Sequence, residues 1–300
     1  MRILLTGTGG QVGSALLPLL EGRGTLIAPS RADFDLSKPE TLAARLDELK
    51  PDLIVNPAAY TAVDRAEDES DLAFLINAKG PAAIAQWAAR AHAPLLHFST
   101  DYVYDGSGTT AWREDSVTGP LSVYGASKLA GDQAIADANP PHIIFRTSWV
   151  YAANGANFLR TIARLARERK ELRIVSDQIG APTSASAIAG AVVKILTDGK
   201  SDVAGLLAGR AGVVNLVCAG ETSWHGLAVA IVEGLRSRGF ELPVEHIAAI
   251  TTAEFPTKAK RPQNSRLDLS RLKDLFGITM PDWRDALERE LDKFVHGTSE

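Results

Sequence analysis

Cysteine is nearly missing from this sequence, since Cys218 stands alone among 300 residues. A single cysteine cannot form an internal disulfide, and its place in an apolar run predicts a small buried side chain rather than a nucleophile. Low cysteine use fits a reducing compartment, and the chain opens without a basic and apolar leader segment. We therefore expect a cytoplasmic protein.

Strong charge bias and long apolar segments are missing as well. Lysine and arginine total 32 residues against 36 aspartates and glutamates, which gives a net charge of −4 at pH 7. This balance supplies no broad positive field for nucleic acid. No apolar run approaches the roughly 20 residues that a membrane-spanning helix needs. We expect no nucleic-acid partner and no membrane partner.

The first informative pattern is a glycine triplet near the amino terminus. An apolar segment at 2–6 predicts a strand, a helix pattern begins at Ser14, and between them stand Gly7, Gly10 and Gly13. Glycine lacks Cβ, so these positions permit a tight turn and a close approach of the backbone to a pyrophosphate at the helix N-terminus. A tight turn without a ligand is the alternative. The placement between a strand and a helix favours a dinucleotide site.

Strand and helix patterns alternate over the first half of the chain. The expected strands are 2–6, 25–29, 52–59, 94–98 and 143–148. This order predicts an α/β fold, a Rossmann-type doubly wound parallel sheet with its ligand crevice beyond the carboxyl ends of the strands. His97, in the fourth strand, is expected to be a packed core residue. We assign residues 1–150 to a dinucleotide-binding domain and 151–300 mainly to a smaller substrate domain, interleaved with the sheet.

A tyrosine and a lysine four residues apart form the second informative pattern. Tyr124 and Lys128 share one face of a helix that is predicted to open near Pro120, and the preceding strand ends near Ser99 and Thr100. A free phenol has a pKa of about 10, and a nearby ammonium lowers it. Such a pair can exchange a proton with a carbonyl oxygen that a hydroxyl holds. Alone, such a pair is more often two ordinary residues on a helix surface; the glycine triplet favours catalysis.

The end of the second strand carries Ser30 and Arg31, where a dinucleotide fold places the adenosine ribose. An acid there would accept a hydrogen bond from the ribose 2′-hydroxyl, whereas a hydroxyl and a guanidinium suit a 2′-phosphate. We therefore predict a preference for NADPH over NADH; the alternative is that Arg31 is a solvated loop charge. Ser37 and Glu40 match a capping box and predict the start of the next helix.

Six stretches of the chain resemble one known family: Gly7 to Gly13, Ala59 to Asp64, Ser99 to Gly106, Pro120 to Lys128, Arg146 to Tyr151 and Arg261 to Asp268. They are similar to the dTDP-4-dehydrorhamnose reductases, within the extended short-chain dehydrogenase/reductases. The resemblance spans nearly the whole chain. It implies transfer of hydride from NADPH or NADH to C4 of dTDP-4-dehydro-L-rhamnose, so the expected partner is a dTDP-linked ketosugar. It also admits a homodimer.

The resemblance implies roles for individual residues. Tyr124 would give a proton to the forming alkoxide, Lys128 would bind the nicotinamide ribose and lower the tyrosine pKa, and Thr100 would hold the carbonyl oxygen. The expected substrate contacts are Ser99, Thr100, Asp101, Tyr102, Trp149 and, for the nucleotide diphosphate, Arg261. The expected cofactor contacts are Gly7, Gly10, Gln11, Val12, Gly13, Ser30, Arg31, Asp35, Leu36, Ala59, Tyr60, Thr61, Tyr124 and Lys128.

Two departures from the family pattern affect the expected ligands. The acid that members often carry at the end of the second strand is replaced by Ser30, which supports the NADPH prediction. Some members bind a divalent metal through glutamates at the subunit interface. Ala15 follows the glycine loop and Ser186 follows the Pro182–Thr183 turn, so these carboxylates cannot be placed. We predict no tightly bound metal.

Other functions share the same fold and have to be weighed. A nucleotide-sugar 4,6-dehydratase usually has an Asp-Glu pair after the threonine, but here Tyr102 follows Asp101. A 4-epimerase fits the later motifs less well. A non-catalytic regulatory subunit, such as that of methionine adenosyltransferase, has no need for the intact Thr100–Tyr124–Lys128 set. A reductase is the interpretation that these residues favour.

Overall fold

The computed structural model describes residues 1–198, 202–207 and 209–297. The strands in these ranges are β1 Arg2–Leu5, β2 Thr25–Ile27, β3 Leu53–Asn56, β4 Leu95–Thr100, β5 His142–Thr147, β6 Val150–Tyr151, β7 Glu171–Val175, β8 Ile179–Gly180, β9 Thr183–Ser184, β10 Gly212–Asn215, β11 Thr222–Ser223, β12 His246–Ile250 and β13 Asn264–Ser265. The α-helices are α1 Gln11–Leu20, α2 Pro39–Leu49, α3 Val63–Ala66, α4 Ser70–Phe74, α5 Gly80–Ala91, α6 Val123–Ala138, α7 Phe158–Glu168, α8 Ala185–Asp198, α9 Val203–Leu207, α10 Trp224–Ser237, α11 Ser270–Phe276 and α12 Trp283–Gly297.

Six strands form one parallel sheet in the order β10–β5–β4–β3–β1–β2. The chain winds outward from β1 in both directions, so the carboxyl ends of β1, β3 and β4 lie side by side at one edge. The doubly wound parallel sheet predicted from the sequence is confirmed. This edge is where ligands bind in such sheets.

Both faces of the sheet are covered by helices, as the buried apolar strands require. On β1, Ile3 and Leu5 belong to the apolar cluster that includes α1 and α8, whereas Leu4 belongs to the cluster of α2, α5 and α6. The alternation follows from the two-residue period of a strand. The helix α6, which carries Tyr124 and Lys128, therefore packs on the same face as Leu4.

The later half of the chain builds a second apolar cluster among α7, α10 and α12, around residues such as Leu159, Ile231 and Trp283. Its strands pair in smaller sheets, β11–β8–β13, β7–β12 and β6–β9. One late strand, β10, instead completes the edge of the large sheet next to β5. The division into domains at residue 150 stays a prediction. Within the described ranges, no helix has the length and apolar character to cross a membrane.

Helix starts differ from the sequence prediction in two places. The predicted capping box of Ser37 and Glu40 is wrong, because α2 begins at Pro39 after Lys38, and the Ser37 hydroxyl donates to Asp35 instead. The helix α6 begins at Val123 rather than near Pro120, because the Ser122 side chain accepts a hydrogen bond from the backbone N–H of Gly125. A side chain that competes for a nearby partner can move a helix start by several residues.

Candidate active site

The glycine turn after β1 is shaped by contacts that leave no room for side chains. Gly7 has a φ of +60°, and a Cβ there would lie 2.9 Å from the Cα of Ala58. A Cβ on Gly13 would lie 2.1 Å from the Gly7 carbonyl oxygen. The helix α1 then starts with no side chain capping its first N–H groups. These free donors and the exposed backbone fit a pyrophosphate.

The end of the second strand has an acid that the sequence interpretation did not place. The Ser30 hydroxyl donates to the Asp33 carboxylate at 2.7 Å, and Arg31 is exposed beside them. Burial opposes ionisation of Asp35, but hydrogen bonds from Ser37 and the charge of Arg31 lower its pKa. A hydroxyl, an arginine and two carboxylates therefore meet where the ribose is expected.

One wall of the crevice is the segment that follows β3, and the side-chain amide of Asn77 holds its backbone in place. The Asn77 side chain accepts from the backbone N–H of Tyr60 at 2.8 Å and donates to the Tyr60 carbonyl at 3.0 Å. Asn77 lies in a π-helical turn, Leu75–Lys79, a local widening of a helix that is frequent at functional sites. The Tyr60 hydroxyl donates to Glu69. Ala59, Tyr60 and Thr61 are thus held at the sheet edge where the cofactor is expected.

The start of α6 is packed directly on the end of β4. A Cβ on Gly125 would lie 2.2 Å from the Tyr102 carbonyl oxygen, and the backbone N–H of Val123 donates to Glu67. This close packing places Tyr124 beside the residues that follow β4. Its ring meets the Tyr102 ring edge-on at a centroid distance of 5.5 Å.

Lys128 is fully buried, and its Nζ lies within hydrogen-bond distance of two groups. Its Nζ donates to the carbonyl of Phe98 at 2.7 Å and lies 3.1 Å from Nε2 of His97. Burial lowers the pKa of Lys128 to about 8, and Asp132 partly opposes this. His97 is a core residue, as predicted, but its ring contacts the predicted catalytic lysine.

The predicted lowering of the Tyr124 pKa is reversed in the structure. Burial raises the pKa of the Tyr124 phenol above its ordinary value, and a hydrogen bond with Thr100 opposes the shift. The sequence argument considered only the charge of Lys128 and not the burial of the phenol. Tyr124 is thus a protonated phenol near the predicted carbonyl-binding hydroxyl of Thr100.

Thr100 and Asp101 form a polar pair next to Tyr124. The Thr100 hydroxyl donates to the Asp101 carboxylate at 3.1 Å and accepts from the backbone N–H of Tyr102. Burial raises the pKa of Asp101 to about 6. Ser99 lies on the other side of the strand, because side chains alternate, and donates to Asp132 at 2.8 Å. The Ser99 hydroxyl thus faces α6, and its predicted substrate contact stays a prediction.

Trp149 lies at the carboxyl end of β5 with a φ of +48°, a left-handed conformation. Its indole stacks on Trp224 with ring centroids 3.7 Å apart, and Trp224 also contacts Phe158. The Trp224 nitrogen donates to Gln178. The sequence analysis named Trp149 but missed Trp224, which comes from the later half of the chain.

Arg261 is held over the site by an acid from the first half of the chain. Its guanidinium donates to Asp64 at 2.8 Å, and its charge favours the ionised form of the nearby Tyr102. Burial raises the pKa of Tyr102 to about 12. In the described part of the chain, no group of three or more His, Cys, Asp or Glu side chains is placed to hold a metal ion. The prediction of no tightly bound metal stays a prediction.

The comparisons with known proteins cover the whole chain. A model of the family described as the RmlD substrate binding domain matches residues 1–296. A dTDP-4-dehydrorhamnose reductase of Shigella flexneri is 42% identical over 305 residues, 100% of both chains. One of Burkholderia thailandensis is 44% identical over 290 residues, 96% of this chain and 97% of the relative.

Solved structures agree with these sequence matches. The dTDP-4-dehydrorhamnose reductase of Clostridium acetobutylicum superposes with a TM-score of 0.90 at 33% identity, covering 98% of this chain and 100% of the other. The one of Bacillus anthracis, crystallised in complex with NADP, gives a TM-score of 0.87 at 31% identity, covering 97% and 99%.

The parallel sheet, the glycine turn and the Thr100–Tyr124–Lys128 set together define the class, a Rossmann-type reductase of the short-chain dehydrogenase/reductase kind. The full-length matches decide the family within that class. The chain belongs to the dTDP-4-dehydrorhamnose reductase family.

Proposed function

We propose that this protein reduces the C4 ketone of dTDP-4-dehydro-L-rhamnose to the alcohol of dTDP-L-rhamnose, with NADPH or NADH as the hydride donor. The observation that supports this most directly is the packing of the start of α6 on the end of β4, which brings Tyr124 to the residues beside Thr100 at the edge of the sheet that also carries the glycine turn. Family membership supports the substrate, because the relatives at 42% and 44% identity carry that name.

Different residues of the chain position the carbonyl, donate the proton and bind the cofactor. Reduction of a ketone adds a hydride to carbon and a proton to oxygen, and the bound nicotinamide supplies the hydride. Thr100 positions the carbonyl oxygen, and Tyr124 gives it the proton as negative charge develops. Because burial keeps the phenol protonated, Tyr124 is ready to donate. Gly7, Gly13 and the start of α1 bind the pyrophosphate.

The substrate side of the crevice is built from both halves of the chain. The stacked indoles of Trp149 and Trp224 offer a flat apolar surface for a sugar or base ring. Asp101 is buried beside Thr100 and is available to bind a sugar hydroxyl. Arg261 suits the nucleotide diphosphate, since a guanidinium binds phosphate oxygens in pairs. The predicted homodimer and cytoplasmic location stay predictions.

The test is oxidation of NADPH, followed by absorbance, when dTDP-4-dehydro-L-rhamnose is added. We expect turnover by the wild type and a fall in kcat of about 10²–10⁴-fold for Tyr124→Phe, the range for loss of a general acid. Phenylalanine keeps the ring contact with Tyr102 and removes only the acid, so the rate should fall far more than the affinity for NADPH. Binding of both ligands without turnover by the wild type would favour a non-catalytic subunit instead.

A further inference from the structure

A chain of four buried polar side chains runs beneath the site from the glycine turn to Lys128. The Thr6 hydroxyl, just after β1, contacts the Asn56 amide oxygen at 2.6 Å. The amide nitrogen of Asn56 lies 3.1 Å from Nδ1 of His97, and Nε2 of His97 lies 3.1 Å from Nζ of Lys128. Relative exposure is 3% for Thr6 and 1% or less for the other three side chains.

The order and pairing of the strands bring these residues together. The strands β1, β3 and β4 are neighbours, and Asn56 is paired directly with His97 across β3 and β4. Side chains of paired residues lie on the same face of a sheet. That face is covered by α6, which carries Lys128. At the other end, Thr6 Oγ1 accepts from the backbone N–H of Ala58, the residue that presses on Gly7.

If Lys128 is charged, counting donors and acceptors assigns the tautomer of His97. An ammonium only donates, so Nε2 of His97 must offer a lone pair to Lys128. His97 is neutral, because burial and the charge of Lys128 both lower its pKa, so its single proton is on Nδ1. That proton needs an acceptor, and a half-turn of the Asn56 amide presents its oxygen. The amide nitrogen then faces Thr6, whose hydroxyl can accept.

We propose that His97 is a positioning residue of the reductase, which holds the charged Lys128 through Nε2 while Asn56 and Thr6 hold the ring in the tautomer that this requires. The inference rests on the proposed reduction only for its kinetic readout. Without the Nε2 acceptor the ammonium would lose one of its two bonds in a site closed to water. It would then lose its proton at a lower pH.

Other charges near Lys128 are accounted for. Asp132, one turn along α6, carries negative charge that favours the ammonium. Arg146 on β5 lies 3.4 Å from Asp132 and offsets part of that charge. His142, also on β5, lowers the pKa of His97 and keeps it neutral. None of these groups takes the place of Nε2, since the two acceptors on Nζ in the described structure are His97 and Phe98.

Two amide substitutions at position 97 test the roles of Nε2 and Nδ1 separately. The Gln side chain in His97→Gln reaches about as far as Nε2 and keeps an acceptor for Lys128, whereas His97→Asn reaches only to the place of Nδ1. We expect kcat/KM of the wild type to fall as Lys128 deprotonates above pH 8, near the pKa of about 8. The pH at which kcat/KM falls should be about one unit lower in His97→Asn, because the ammonium loses a charged hydrogen bond. It should be unchanged in His97→Gln.

Equal shifts in the two variants, or no shift in either, would overturn the proposal. Two measurements need no turnover and keep this result separate from a failure of the proposed function. ¹⁵N shifts of His97 in the wild-type protein show which ring nitrogen is protonated at pH 7, and a proton on Nε2 refutes the assignment. ¹³C titration of Lys128, identified with Lys128→Met, follows the loss of the ammonium proton directly in wild type and both variants.

Discussion

Burial displaces the pKa values of three side chains around Tyr124. It raises the pKa of Tyr124, raises that of Asp101 to about 6 and lowers that of Lys128 to about 8. A phenol that keeps its proton is a donor, which is the role that reduction requires of it. Lys128 is therefore the member of the Tyr–Lys pair that changes charge close to neutral pH.

Cofactor choice is also decided by single residues. Arg31 suits the 2′-phosphate of NADPH, while Asp33, which accepts from Ser30, suits the free hydroxyl of NADH. We predict that the wild type prefers NADPH. Replacing Arg31 by Ala should lower kcat/KM for NADPH about 10-fold or more, the value of one charged hydrogen bond, and change that for NADH less than about 3-fold.

Arg45 provides a matched control for this measurement, since it is paired with Glu48 on the surface of α2. Arg45→Ala removes the same charge from the same half of the molecule. It should leave kcat/KM for NADPH and for NADH unchanged. A wild-type enzyme that uses NADH more efficiently than NADPH would refute the assignment of Arg31, whatever the variants do.

At the scale of elements, the start of α1 leaves no room for an added methyl group at Gly13. A Cβ at position 13 would overlap the Gly7 carbonyl, whereas a Cβ at Gly9 meets nothing within 4 Å. Gly13→Ala should weaken NADPH binding at least about 10-fold and lower the free energy of unfolding by roughly 2 kcal/mol, the range for overpacked sites. Calorimetric titration and urea unfolding measure the two effects.

The control for this helix is Gly9→Ala, which adds the same methyl group two residues before α1 begins. It should bind NADPH within a factor of about three of the wild type, since its Cβ is unopposed. Equal losses in the two variants would mean that the turn does not form around the contact of Gly13 with Gly7.

Elements with a clear period were predictable, and elements held by distant partners were not. The strands β1, β3, β4 and β5 are apolar runs, so burial alone indicates them. The strand β12 has no such signal; it is stabilised by pairing with β7, far away in sequence. The two-residue strands likewise depend on contacts that no local pattern records.

The site was predictable to the same extent. The glycine triplet and the Tyr–Lys spacing are local patterns, and the start of α6 packs on the residues that follow Thr100. The catalytic roles of Thr100, Tyr124 and Lys128 stay predictions. The predicted direction of the Tyr124 pKa was wrong, and the hydrogen bond of Ser99 to Asp132 was not foreseen, because both depend on how α6 lies on β4. The partner of Lys128, 31 positions earlier in the sequence, could be recognised only once the strands were in register.

At the scale of the molecule, hydrogen bonds and an ion pair join the segment 258–261 to the segment 64–68 beside the site. Arg261 and the backbone N–H of Ala259 both donate to Asp64, and Lys258 pairs with Asp68. Arg261→Gln should raise the KM for the nucleotide sugar about 10-fold with kcat and the KM for NADPH nearly unchanged, as for loss of uniform binding. Steady-state kinetics with each substrate varied in turn measures this.

Lys258→Gln is the control for loosening of the segment 258–261. It removes an exposed ion pair from the same segment, a kind of contact worth about 0–1 kcal/mol, so both KM values should be retained. If Lys258→Gln matched Arg261→Gln, the effect would come from loosening the segment. The diphosphate role of Arg261 would then be refuted.

The elements β10 and α8 lie late in the sequence, which has a consequence for folding during translation. Residues 1–150 include the glycine turn and the Tyr–Lys pair, yet β5 borders β10, and α1 packs on α8. A nascent chain leaving the ribosome exposes that strand border and the apolar side of α1 until about 70 more residues have been translated. During this interval the half-built molecule resembles an aggregation-prone intermediate, and chaperone contact is most useful to it then.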